Sequence, residues 1–83
     1  MKMAVIGKRE MTIGFMLAGV SERLETNAPE DALRFLNELE KHETAYLIVI
    51  ASEIFREIES EISEIQSRKP SFVFYEFSGG TFS

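Results

Sequence analysis

The chain has 83 residues, 45% hydrophobic and 28% charged, with a formal net charge of −5 and no cysteine. That suffices for one small globular domain, although a domain of this size buries only about 60–65% of the surface its unfolded chain exposes. The acidity argues against binding a phosphate backbone, and the missing cysteines exclude disulfides, thiolate catalysis and thiolate metal sites.

The first apolar run, Met3-Ala4-Val5-Ile6, ends at Gly7. It reads as a strand over residues 2–7, buried on both faces and central in its sheet. The charged turn Lys8-Arg9-Glu10 follows. It interrupts the apolar run too early for a signal peptide, and no stretch approaches the roughly 20 apolar residues that span a bilayer. The expectation is a cytoplasmic protein. A short helix then starts near Glu10 or Met11, ends by Ala18 and stops at Gly19. Ile13, Phe15, Met16 and Leu17 leave it little polar surface, so it is expected to be covered on more than one side.

Residues 20–25 make a weak strand suited to an exposed edge. Pro29 opens a second helix, with Glu30 and Asp31 in its first turn and an apolar stripe of Ala32, Leu33, Leu36 and Leu39. Lys41 and His42 are expected in its last turn. Residues 45–50, Ala-Tyr-Leu-Ile-Val-Ile, form an unalternating run, the mark of a strand covered on both faces. Ser52 is the expected N-cap of a third helix, continuous to Arg68-Lys69 and closed by Pro70. Its stripe is Ile54, Phe55, Ile58, Ile62 and Ile65. The last strand is Phe72-Val73-Phe74-Tyr75-Glu76-Phe77. Residues 1–78 are expected to form a single domain and 79–83 a terminal loop or tail.

Strand and helix alternate three times before a final strand. This predicts an α/β, three-layer, Rossmann-like or receiver-like fold, with a four-stranded parallel sheet of order 2-1-3-4 and helices on both faces. One helix then lies on the first face, and it reaches only strands 1 and 2. Strands 3 and 4 lack cover there, so the chain reads as lacking a C-terminal helix, or as offering a face to a partner or a second copy. Side chains alternate along strand 4: Phe72, Phe74 and Glu76 share one side, and Val73, Tyr75 and Phe77 the other. A glutamate suits the underside of a helix poorly. Phe72 and Phe74 are therefore expected on the uncovered side, with Phe72, Phe74 and Glu76 as candidate interface residues.

The carboxyl rim of the sheet, where such folds bind ligands, holds Gly7 to Glu10 and Ala51 to Glu53. Gly7, Gly14 and Gly19 do not have dinucleotide-binding spacing, and no phosphate-cradling loop is present. A receiver would need an aspartate where Ala51-Ser52 stands. His42 reads as a surface residue, and the helical carboxylates Glu53, Glu57 and Glu61 as a solvated face. No catalytic residue, cofactor site or metal site is assigned.

Val5-Ile6-Gly7, with Gly14-Phe15-Met16-Leu17-Ala18-Gly19-Val20 after it, resembles the opening of the F subunit of the rotary A-type and V-type ATPases (ATP synthases). The strand and helix over residues 47–54 and the final proline-then-strand segment are also similar to that family. Two features depart from it. Lys8 stands where members commonly carry an aspartate, and members continue past the fourth strand into a C-terminal helical segment. The resemblance implies a non-catalytic central-stalk (rotor) component that docks on the coiled-coil D subunit of the ATPase, meets other stalk or head subunits and helps couple ATP synthesis or hydrolysis to proton or sodium transport. It also implies peripheral association with the membrane through the complex. A degenerate receiver-like regulatory domain that binds a protein partner is the second reading, and it rests on topology alone.

Overall fold

Three apolar segments and one short charged segment become four parallel strands. The computed structural model describes residues 1–78, so the tail expected over residues 79–83 lies outside the described residues. The strands are β1 (Lys2–Gly7), β2 (Glu22–Glu25), β3 (Tyr46–Ala51) and β4 (Phe72–Phe77), in the expected order β2-β1-β3-β4. Between them run α1 (Arg9–Leu17), α2 (Pro29–Glu40), α3 (Ser52–Glu57) and α4 (Glu59–Arg68).

On one face, Ala4 and Ile6 of β1 join Tyr46, Ile48 and Ile50 of β3 and Phe72 of β4. Above them lie Ala32, Leu36 and Leu39 of α2, Ile54 of α3, and Ile62 and Ile65 of α4. This is the main core, and each fully buried large aliphatic or aromatic side chain in it contributes about 1.5–3 kcal/mol. Tyr46 is wholly buried, and its hydroxyl finds a partner at the far edge of the sheet, donating to Glu22 Oε1 at 2.6 Å.

The other face carries α1. Gly7 lies beneath it, where an added Cβ would come within 2.5 Å of Met11 Sδ. The helix ends in a Schellman arrangement. Gly19 N–H donates to Met16 C=O at 2.9 Å, Val20 N–H donates to Phe15 C=O at 3.0 Å, and Gly19 takes φ +103°. The cover expected on more than one side is absent. Thr12 is the buried residue of α1, while Leu17 is 80% exposed.

The side-chain parity of β4 is the reverse of the expectation. Phe72 is wholly buried in the main core, and Phe74 packs partly buried against it. Val73 and Tyr75 lie on the face that carries α1, yet stay 45% and 57% exposed. Glu76 shares the parity of Phe72 but lies near the end of its strand. There its carboxylate accepts Ser52 Oγ–H at 2.8 Å and lies 3.4 Å from Arg56 Nε. It meets the polar start of α3, so a glutamate on this side costs the core nothing.

Three further expectations change. Ser52 does not cap α3, since it is the first helical residue and its hydroxyl is turned to Glu76. The third helix is not continuous, because Ile58 takes φ −121° and ψ 23° between α3 and α4. It is 1% exposed, and the break leaves Ile54, Ile58, Ile62 and Ile65 all buried in the core. Lys41 and His42 follow α2 rather than forming its last turn, with Lys41 as the C-cap. Arg68 at the end of α4 grips Glu40 at the end of α2 with two bonds of 3.1 Å.

Candidate partner-docking surface

The residues with chemistry to offer fall in two places, the carboxyl rim of the sheet and the open face beside α1. At the rim, Lys8, Arg9 and Glu10 are exposed around the start of α1. Ala51 closes β3, Ser52 is bonded to Glu76, and Glu53 is exposed. The end of β3 thus presents a methyl group and a committed hydroxyl where a phospho-accepting carboxylate would have to stand. Among the described residues, no group of three or more histidine, aspartate or glutamate side chains is placed to hold a metal ion. His42 lies on the surface, its ring 6.5 Å from that of Tyr46.

A cavity of about 710 Å³ opens between α1 and the ends of β3 and β4. Its floor and walls are Met11, Gly14, Phe15, Ala18, Ala51 and Phe77, and Lys8, Glu10 and Glu53 stand at its mouth. Phe15 and Phe77 meet edge to face, with centroids 5.3 Å apart. This contact ties α1 to the end of β4. Further along β4 on the same face, Val73 and Tyr75 are exposed, and half-buried Leu47 lies opposite Val73 on the neighbouring strand. The exposed ends of Met16 and Leu17 lie at the C-terminal end of α1. The cover that topology denies to strands 3 and 4 is missing chiefly at β4, since Val49 and Ala51 of β3 are buried.

Of the residues expected at an interface, Phe72 has no exposed surface, and Phe74 and Glu76 lie along the outer edge of β4. Besides Met1, the exposed large hydrophobic residues are instead Met16, Leu17, Val73 and Tyr75. The alternation of β4 carries the signal for Val73 and Tyr75, but taking Glu76 as unfit for the helix-covered side reverses the strand's orientation.

Residues 3–77 match the family described as ATP synthase (F/14-kDa) subunit. The chain belongs to this family. Among curated relatives, the A-type ATP synthase F subunit of Methanocaldococcus jannaschii is 37% identical over 65 residues, covering 78% of this chain and 66% of the relative. The A-type ATP synthase F subunit of Methanococcus aeolicus is 38% identical over 66 residues, covering 80% of this chain and 67% of the relative. That of Archaeoglobus fulgidus is 31% identical over 81 residues, covering 95% of this chain and 80% of the relative. The chain therefore spans about two thirds of the length of the first two. The crystal structure of the V-type ATP synthase F subunit of Archaeoglobus fulgidus superposes with a TM-score of 0.54 at 26% identity, covering 88% of this chain and 94% of that one. The α/β fold and the family resemblance read from residues 5–20 are both borne out. No helix among the described residues is long and apolar enough to cross a membrane.

Proposed function

We propose that this chain is a non-catalytic central-stalk component of an A/V-type rotary ATPase, docking on the coiled-coil D subunit and helping to couple ATP turnover to proton or sodium transport. The observation that supports the reading is the open face of the sheet. Val73 and Tyr75 of β4 and Met16 and Leu17 at the end of α1 are large apolar side chains left exposed, as on surfaces that receive an amphipathic helix. Exposed apolar patches of this sort mark interaction sites. The rim chemistry agrees, because its side chains are bonded to one another or solvated rather than convergent on a substrate. In this reading the chain meets the membrane only through its complex. The candidate interface at Phe74 and Glu76 belongs to the outer edge of the same strand.

The test is binding to the cognate D subunit. The two purified proteins should co-elute as a stable complex, and Leu17→Glu or Tyr75→Glu should weaken it about tenfold or more while leaving the circular dichroism spectrum unchanged. Failure of the unaltered chain to bind its cognate partner, or binding by both variants as tight as that of the unaltered chain, would overturn the proposal.

A further inference from the structure

The two edges of the sheet are built differently. β2 is Glu-Arg-Leu-Glu, a short and charged edge that discourages pairing with other strands. β4 is Phe-Val-Phe-Tyr-Glu-Phe, longer, with one charge and no proline. Among the described residues no strand lies beyond it.

The register decides which of its backbone groups face outward. Tyr46 lies opposite Phe72, and Tyr46 N–H donates to Ser71 C=O at 3.2 Å. Along a strand, the N–H and C=O of one residue point to the same side, and the side alternates from residue to residue. Ser71, Val73, Tyr75 and Phe77 therefore turn their backbone groups to β3, and Phe72, Phe74 and Glu76 turn theirs outward. Phe72 is already satisfied, since its N–H donates to Lys69 C=O at 3.0 Å and its C=O accepts from Gln66 Nε2 at 3.3 Å. Phe74 and Glu76 are left presenting a donor and an acceptor each to the outside of the sheet.

We propose that this edge is self-complementary and that two copies of the chain join through it, β4 against β4, into one continuous sheet. A twofold axis normal to the sheet makes the two strands antiparallel and keeps like faces together. Opposed residues must then point to the same face, so the axis has to pass through a residue position. Centred on Phe74, the register sets Phe72 against the partner's Glu76, where the Phe72 groups are already taken. Centred on Glu76, it sets two carboxylates directly opposite each other, which is destabilising. Centred on Tyr75, it sets Phe74 against the partner's Glu76 and Glu76 against the partner's Phe74. Every outward N–H and C=O of those two residues is then paired. On the open face Tyr75 meets its own copy at a non-hydrogen-bonded position, where Cα atoms approach to about 4.5 Å. Val73 meets the partner's Phe77 beside it, so the exposed apolar side chains of the two strands cover one another. The outward backbone groups of the edge carry this inference independently of the docking reading, although Val73 and Tyr75 enter both.

The absence of cysteine makes the register testable. Tyr75→Cys places a single thiol on the axis, within disulfide reach of its copy, whereas Val73→Cys points its thiol at the partner's Phe77. Under mild oxidation Tyr75→Cys is expected to form a cross-linked dimer about tenfold faster or more than Val73→Cys at equal concentration. Glu76→Pro removes one outward N–H and no bond to β3, a substitution that edge strands tolerate. It is expected to weaken the dimer about tenfold or more in analytical ultracentrifugation with an unchanged circular dichroism spectrum. Should Glu76→Pro fail to fold, Tyr75→Lys, at an exposed side chain, carries the same expectation through like charges facing across the axis. The proposal is overturned if the unaltered chain stays monomeric up to about 1 mM. It is equally overturned if the dimer is indifferent to these variants or if the two cysteine variants cross-link alike.

Discussion

Replacing Phe72 by alanine separates the observed orientation of β4 from the opposite one. The ring has no exposed surface. It meets Tyr46 edge to face at 5.6 Å and Phe74 at 6.3 Å, and Lys69 Nζ lies 5.7 Å from its centroid. Removing a buried phenylalanine costs about 3–5 kcal/mol, since apolar transfer energy is lost and the cavity closes only partly. The polar rim beside Lys69 lets the site collapse or hydrate to some degree, which favours the lower half of that range. Even about 3 kcal/mol is a large share of the roughly 5–15 kcal/mol that holds a domain together. It should lower the melting temperature by about 12–24 °C at this chain length. Tyr75→Ala, on the opposite side of the same strand and 57% exposed, should cost about 1 kcal/mol or less. Urea unfolding of both variants, followed by far-ultraviolet circular dichroism, makes the comparison. Equal costs for the two, or a larger cost for Tyr75→Ala, would refute the orientation of β4 described above.

Three further outcomes follow from local geometry. The Tyr46 phenol is pushed up to about 12, first by burial and then by the Glu22 carboxylate that accepts its proton. The folded state thus keeps a proton that the unfolded chain releases near pH 10, so this contribution is complete below about pH 10 and is lost as pH rises towards about 12. Tyr46→Phe should cost about 1.5–3 kcal/mol at neutral pH and flatten the alkaline loss of stability, and parallel urea midpoints for the two proteins from about pH 8 to 11.5 would contradict this. Gly19→Ala places a Cβ at φ +103° and should cost about 1–2 kcal/mol in thermal unfolding, with a neutral effect counting against the helix stop described here. The Asp31 carboxyl is held below the usual carboxylate range, chiefly by the Thr26 hydroxyl at 2.8 Å and then by Arg34. Its contribution is present at neutral pH and fades as pH falls through the depressed value, so Thr26→Val should raise the Asp31 midpoint in a carbon-detected NMR titration, and an unchanged midpoint would count against that assignment.

The order of the strands is legible because three strands are distinct apolar runs, the remaining one is a weak edge-type segment, and each connection is too long for a hairpin. The limits 2–7 of β1 and 72–77 of β4 agree with the structure, as does Pro29 opening α2. What was not legible depends on contacts between distant residues. Ser52 looks like an N-cap from its neighbours, but its hydroxyl goes to Glu76, 24 residues away. Glu76 in turn looked unfit for the helix-covered side because nothing local reveals that Ser52 and Arg56 await it there. The break at Ile58 has no glycine or proline to announce it, and the isoleucine stripe runs through it without a change of spacing. The exposure of Leu17 was hidden for another reason. An apolar helix reads the same whether its second side is covered by its own chain or left for a partner.

The open face beside α1 is the proposed docking face. The most direct measurement is an NMR titration of the isotope-labelled chain with its unlabelled cognate D subunit, observed at the backbone amides. The account predicts the largest shifts at Met16, Leu17, Val73 and Tyr75, with the outer surfaces of α2 and α4 little changed. Shifts concentrated on α2 and α4, with Leu17 and Tyr75 unmoved, would contradict it.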